Sequence, residues 1–218
     1  MIAYLDIETT TAPRVIAAGL QAAGLLAPPT FLLGDRSEAV VAWVNEHAAD
    51  RARDPVGGVV VCWAVATSDD REIVRSGPVE ADLLRELEDL LLDLDPSTIV
   101  AHFGHGFDFP FLRARGLACG LPVLARLLWS EKPWDTRLID TTAPSWAPVP
   151  ARGAKPPWPV SLDLLAELLG IGRPLQLDGS QVPAAWYRGE IEEIEAHCLD
   201  DVRVLRRVTA ILAEGRGS

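Results

Sequence analysis

Asp6 and Glu8 stand two residues apart in the opening run MIAYLDIETT, between apolar neighbours. On an extended strand alternate side chains share a face, so both carboxylates project the same way, with Tyr4 behind them. Two like charges side by side repel, and hard divalent cations relieve that repulsion because they take carboxylate oxygens as ligands. An isolated D-x-E suits the end of an edge strand as well as it suits a metal site. The decision therefore rests on further carboxylates. Two more candidates are present: Asp108, in GHGFDFPFLRARG, and Asp201, in HCLDDV, where His197 stands four residues earlier.

The elements that must position these groups follow from the hydrophobic pattern. After the first strand, GGVVVCWAVATSDDREIVRS gives an apolar run from Val59 to Thr67, an Asp-rich turn and a second short strand from Glu72, which together predict a hairpin. VEADLLRELEDLLLDLD repeats leucines at helical spacing, and Leu83, Leu84, Leu87, Leu90, Leu91 and Leu94 predict a core-facing stripe. STIVAHF then reads as a short buried strand, and a glycine-flanked turn leads into a helix whose first acid is Asp108. At such a position an aspartate either satisfies unpaired amides of the first helical turn or serves as a ligand, and the pattern alone leaves both open. TRLIDTT predicts a strand ending at Asp140, and SLDLLAELLG a helix closed by Gly170.

The terminal helix, from about Glu190 to Leu212, is the most informative. At 100° per residue, Ile191, Ile194, Cys198, Val202, Leu205, Thr209 and Leu212 form one stripe. Asp201 falls inside it, His197 lies at its margin one turn earlier, and Asp200 points roughly opposite. A carboxylate on an apolar face is costly unless it is paired or metal-bound, which selects Asp201 rather than Asp200.

Two stretches stand apart from this pattern. Residues 11–57 are rich in alanine and proline, with one predicted helix over Ser37–Ala49, and read as an insertion into a single domain spanning residues 1–218. Residues 129–160 interleave Trp129, Trp134, Trp146 and Trp158 with prolines and with Lys132, Arg137, Arg152 and Lys155. Such a stretch offers stacking rings and phosphate-binding cations to single-stranded nucleic acid, through Trp146, Arg152 and Lys155. It reads equally as a proline-rich loop pinned by buried tryptophans.

A net charge of −11 argues against a broad basic surface for duplex DNA, while an acid-lined metal site is compatible with it. Cys62, Cys119 and Cys198 are odd in number and lie in apolar segments, as reduced core thiols do. With no basic leader and no apolar run of membrane length, a soluble cytoplasmic protein is expected.

Taken together, DIET at Asp6 to Thr9, GFDFPFL at Gly106 to Leu112 and HCLDDV at His197 to Val202 resemble the DEDD superfamily of 3′-to-5′ exonucleases. LLGIGRPLQLDGSQV, followed by a Gly-Glu-Ile helix, is similar to predicted exonucleases related to the proofreading domain of family B polymerases. The resemblance implies a ribonuclease H-like α/β fold, with a mixed sheet of about five strands and helices on both faces. It also implies that Asp6, Glu8, Asp108 and Asp201 bind two ions of Mg²⁺ or Mn²⁺ and that nucleoside 5′-monophosphates are released from single-stranded DNA. Thr9, Phe107 and Phe111 become candidate substrate contacts, although core packing also accounts for the two phenylalanines. RNA as substrate, or a non-catalytic nucleic-acid-binding module, are the alternatives. Superfamily members carry a tyrosine four residues before the last aspartate or a histidine five before it. A histidine can act as general base near neutral pH, and here His197 occupies the tyrosine spacing, where a catalytic role is expected of it, a weakened or altered activity being the alternative. Phe103 stands where relatives often carry asparagine.

Overall fold

The alternating first residues form β1 (Ile2–Thr11). The predicted hairpin forms β2 (Gly58–Thr67) and β3 (Glu72–Ser76), and two shorter strands follow, β4 (Thr98–Ala101) and β5 (Leu138–Asp140). In this computed structural model, which describes residues 1–22, 38–129, 137–142, 160–173 and 177–214, they make one five-stranded sheet in the order β3-β2-β1-β4-β5. β1 to β3 are antiparallel neighbours, and β4 and β5 run parallel to β1. This mixed sheet has the ribonuclease H-like arrangement.

Helices cover both faces because the central strands are apolar on both sides. β2 is buried at every position, which is why it reads as a continuous apolar run. On one face lie α1 (Pro13–Ala22), α2 (Glu38–Ala52), α7 (Val182–Arg188) and α8 (Ile191–Glu214), packed around Tyr4, Ala64, Ile194 and Val202. On the other lie α3 (Glu80–Leu94), α4 (Asp108–Ala118) and α5 (Pro122–Leu127), packed around Leu5, Trp63, Leu87 and Leu112. A short helix, α6 (Leu162–Leu168), packs against α8. The leucine stripe of α3 faces the core as its spacing predicts, with Leu90 only partly buried.

Three local features differ from the sequence expectation or go beyond it. α1 has no strong alternation, yet Ile16 and Leu20, one helical turn apart, are fully buried in the core that α1 shares with α2, against which it packs. The helix predicted over Ser37–Ala49 runs from Glu38 to Ala52, and Ser37 lies outside the described residues. Between β1 and β2 the register steps from Glu8 opposite Cys62 to Thr9 opposite Val60, leaving Val61 as the extra residue of a bulge. Val61 and Cys62 consequently both join the core on the α8 side, and the strand bends beside Glu8.

A buried ion pair fastens the opposite face. Glu80, the first residue of α3, accepts the Val60 N–H at 2.8 Å and is forked by Arg115 of α4, whose Nε lies 2.9 Å away. Charge-assisted, bidentate contacts of this kind set the helices' orientation relative to β2. Among the described residues no helix is long and apolar enough to cross a membrane.

Candidate metal centre

Asp6 and Glu8 leave β1 on the face covered by α8, so the strand delivers two carboxylates to the helix that carries Asp201. His197 is buried between them. Its Nε2 lies 3.3 Å from Glu8 Oε1 and its Nδ1 3.8 Å from Asp201 Oδ1. The ligand atoms of Glu8, His197 and Asp201 fall within 4.8 Å of one another, as do those of Asp6, Glu8 and Cys198. Asp6, Glu8, His197 and Asp201 line a cleft of about 900 Å³ together with Thr9, Phe103, Phe107, Asp178 and Arg173.

The electrostatics of the cluster are those of buried acids held together with charge compensation only at Asp201. Burial, and then the charges of Asp201 and Glu8, push the Asp6 carboxyl well above the usual carboxylate range. Burial followed by Asp201 does the same to Glu8. Asp201 is raised by burial, against the opposing pull of His197 and Arg173. Cys198 donates its thiol to Asp6 Oδ2 at 3.3 Å, and burial raises that thiol far above its ordinary value, so it is a hydrogen-bond donor rather than a thiolate ligand.

This donor set fits a divalent cation. Carboxylates crowded in a partly closed cleft are stabilised by a hard cation. In addition, the His197 Nδ1 is buried with no hydrogen-bond partner among the described residues, and it faces Asp201.

Asp108 is the first residue of α4 and is 2 % exposed. Its carboxylate takes backbone amides of its own residue and of Ile7, and burial raises its pKa to about 8. It does not line the cleft, but its charge is felt at both Asp6 and Glu8. The structure thus brings Asp6, Glu8, His197 and Asp201 to one cavity wall and sets Asp108 against the backbone of β1.

Of the candidate substrate contacts, Thr9 and Phe107 line the cleft. Phe111 does not: it is 1 % exposed, sits in the core under α4 and backs the Phe107 ring at 5.3 Å between centroids. Core packing is the role its position gives it. Trp146, Arg152 and Lys155 lie outside the described residues. Trp129 is described, and the guanidinium of Arg113 covers its ring at 3.6 Å.

Two residues of the site have no counterpart among the sequence candidates. Arg173 reaches into the cleft, where its guanidinium pairs with Asp163 of α6 and with both Asp200 and Asp201 of α8. Asp200, expected to point away from the site, is therefore held beside it. The helical wheel places Asp200 correctly on α8, but the segment that carries Arg173 covers that flank. Only the basic residue in LLGIGRPLQLDGSQV signals this, since a cation near a cluster of acids is a natural partner for them.

Asp140, at the end of β5, moulds the loop before α4. It accepts the N–H groups of Phe103 and His105, each at 3.0 Å, and the N–H and hydroxyl of Thr142. The same loop is held by His102, whose ring bonds the Thr141 hydroxyl and the Val160 carbonyl. Phe103 sits at φ +60°, a left-handed conformation that costs a residue with a β-carbon about 1 kcal/mol or more. Asparagine tolerates that backbone better than most residues. Asp140→Ala leaves several amides without their acceptor and is expected to lower stability by about 2–3 kcal/mol, read by urea denaturation. Asp140→Asn, which keeps one acceptor oxygen, should lose less.

The fold matches part of a family B DNA polymerase from the hyperthermophilic archaeon Pyrobaculum calidifontis. The TM-score is 0.62, with 22% sequence identity, over 97% of this chain and 24% of the polymerase chain. This chain therefore spans about a quarter of that polymerase's length, and the likeness is one of fold. No protein-family model matches the chain, and no curated protein matches it in sequence.

Proposed function

We propose that this chain is a metal-dependent 3′-to-5′ exonuclease that releases nucleoside 5′-monophosphates from single-stranded DNA. The observation that carries this reading is the meeting of Asp6, Glu8, His197 and Asp201 in one cleft, on a fold shared with a segment of a DNA polymerase. Two ions of Mg²⁺ or Mn²⁺ would be held by Asp6, Glu8 and Asp201, with Asp108 close enough to contribute charge or a ligand. When bound, such ions lower the pKa of water and neutralise the leaving 3′-oxygen. The protein is read as one exonuclease domain over residues 1–218, with 11–57 as an insertion, acting in the cytoplasm.

The chain's own groups divide the remaining work. Asp6 and Glu8, fixed on a rigid strand, set the spacing of the cation sites. His197 stands beside both Glu8 and Asp201 with a free ring nitrogen, placed to take a proton from water as general base. Arg173, which pairs with Asp201, would share that carboxylate with a bound cation and could offer its guanidinium to phosphate. Arg53, an exposed cation on the rim of the cleft, can meet the strand's backbone.

A 5′-labelled oligonucleotide incubated with Mg²⁺ or Mn²⁺ should give a ladder shortening from its 3′ end, with DNA cleaved faster than RNA of the same sequence. The Arg173–Asp201 pair favours a second reading, a nucleic-acid-binding module without turnover, because the guanidinium already compensates one acid of the site. Binding without any metal-dependent ladder, with wild type and Asp6→Ala indistinguishable, would establish that module and reject the enzyme.

A further inference from the structure

We propose that Phe103 is the platform of a nucleobase-binding subsite, on which one of the last two bases at a 3′ end stacks. This rests on the nucleic-acid reading of the same cleft. Among the described residues, Phe103 is the one large apolar side chain that both lines the cleft and is exposed, at 44 %. An aromatic ring nearly half open to water, on a residue at a φ of +60°, gains only part of its possible burial while carrying a backbone cost, so folding alone gives little reason for it there.

The surrounding structure nonetheless holds the ring in place. Asp140 clamps the Phe103 amide, and the Phe103 carbonyl accepts the N–H groups of Gly106 and Phe107 at 2.9 Å and 2.8 Å. A β-carbon at Gly106 would come within 2.4 Å of the ring, so the ring rests directly on that glycine's backbone. The result is a fixed aromatic surface opening on the cleft that holds Asp6 and Glu8. Every nucleobase has a π-face, so such a surface accepts any base while favouring an unpaired one. Asparagine at this position would keep the backbone and lose the surface.

The test compares single-stranded DNA oligonucleotides carrying normal 3′ ends with ones abasic at the last two positions, by fluorescence anisotropy with Ca²⁺ present. Wild type is expected to bind the normal end about tenfold more tightly, a ratio within the range of one base–aromatic stack. Phe103→Asn, whose side chain suits the left-handed backbone, should fold at least as stably yet lose the ratio. Phe103→Leu should lose it too, and Phe103→Trp should retain it. An unchanged ratio in the Asn and Leu variants, a wild-type ratio of one, or no binding of either oligonucleotide would each overturn the subsite. A ratio that depends on the ring, in a protein that cleaves nothing, would uphold the subsite and reject the exonuclease. Cleavage with a ratio insensitive to Phe103 would do the reverse.

Discussion

Asp6→Asn is expected to lower metal-dependent cleavage by about 10³-fold or more while raising the melting temperature of the metal-free protein. The two effects have one cause. Asp6 is held against Glu8, Asp201 and Asp108 in a buried setting, and its charge is unfavourable to folding for the reason it is useful to a cation. An amide of the same shape removes the repulsion and still accepts the Cys198 thiol. It also removes a full negative charge from the cation site, and a thousandfold loss corresponds to about 4 kcal/mol of transition-state stabilisation. Single-turnover cleavage of a labelled oligonucleotide gives the first quantity, and calorimetry in chelator gives the second. Activity within tenfold of wild type would remove Asp6 from the metal centre. Destabilisation by the amide would show that the cluster is not under electrostatic strain.

The second large effect concerns pH. Asp108 in the folded protein keeps its proton up to about pH 8, whereas in the unfolded chain it releases it near pH 4. Between those values the folded state binds the additional proton, so the stability this group contributes is present on the acid side and is lost as pH rises towards 8. Asp6 and Glu8 are shifted in the same direction and act in the same sense. From Asp108 alone, metal-free protein should therefore lose on the order of 3–5 kcal/mol of unfolding free energy between pH 5 and pH 8, and Asp6 and Glu8 add to the loss. Denaturant titrations in chelator should show a shallower slope for Asp108→Asn. Mg²⁺ or Mn²⁺ should restore stability at pH 8, by about 2.7 kcal/mol at one hundred times its dissociation constant. A metal-free protein whose stability rises from pH 5 to pH 8 would contradict the electrostatic account of this cluster.

Much of this site is legible in the sequence because its geometry is local. Strand periodicity puts Asp6 and Glu8 on one face, and helical periodicity puts Asp201 with His197 on the stripe that meets that face. What stays hidden is set by contacts between distant segments. Nothing in the run around Asp140 says that its carboxylate will shape the loop carrying Phe103, nor that Arg173 will bring Asp200 to the site. Val61 and Cys62 share a face only because the pairing of β1 with β2 inserts a bulge, which no alternation within β2 can reveal. Phe111 fits a motif near the clustered acids, but the helix turns it into the core, where the Phe107 ring leans on it.

The thiol of Cys198 touches the carboxylate of Asp6 across 192 positions of sequence. A site built from a first strand and a last helix closes one of the longest loops the chain can form, and such contacts are made late in folding. During synthesis β1 leaves the ribosome long before α8 exists. A nascent chain ending ahead of Ile191 carries Asp6 and Glu8 without Asp201 or His197, and so has no complete cation site. On the proposed reading, nuclease activity would thus arrive only once α8 has been made and docked on β1.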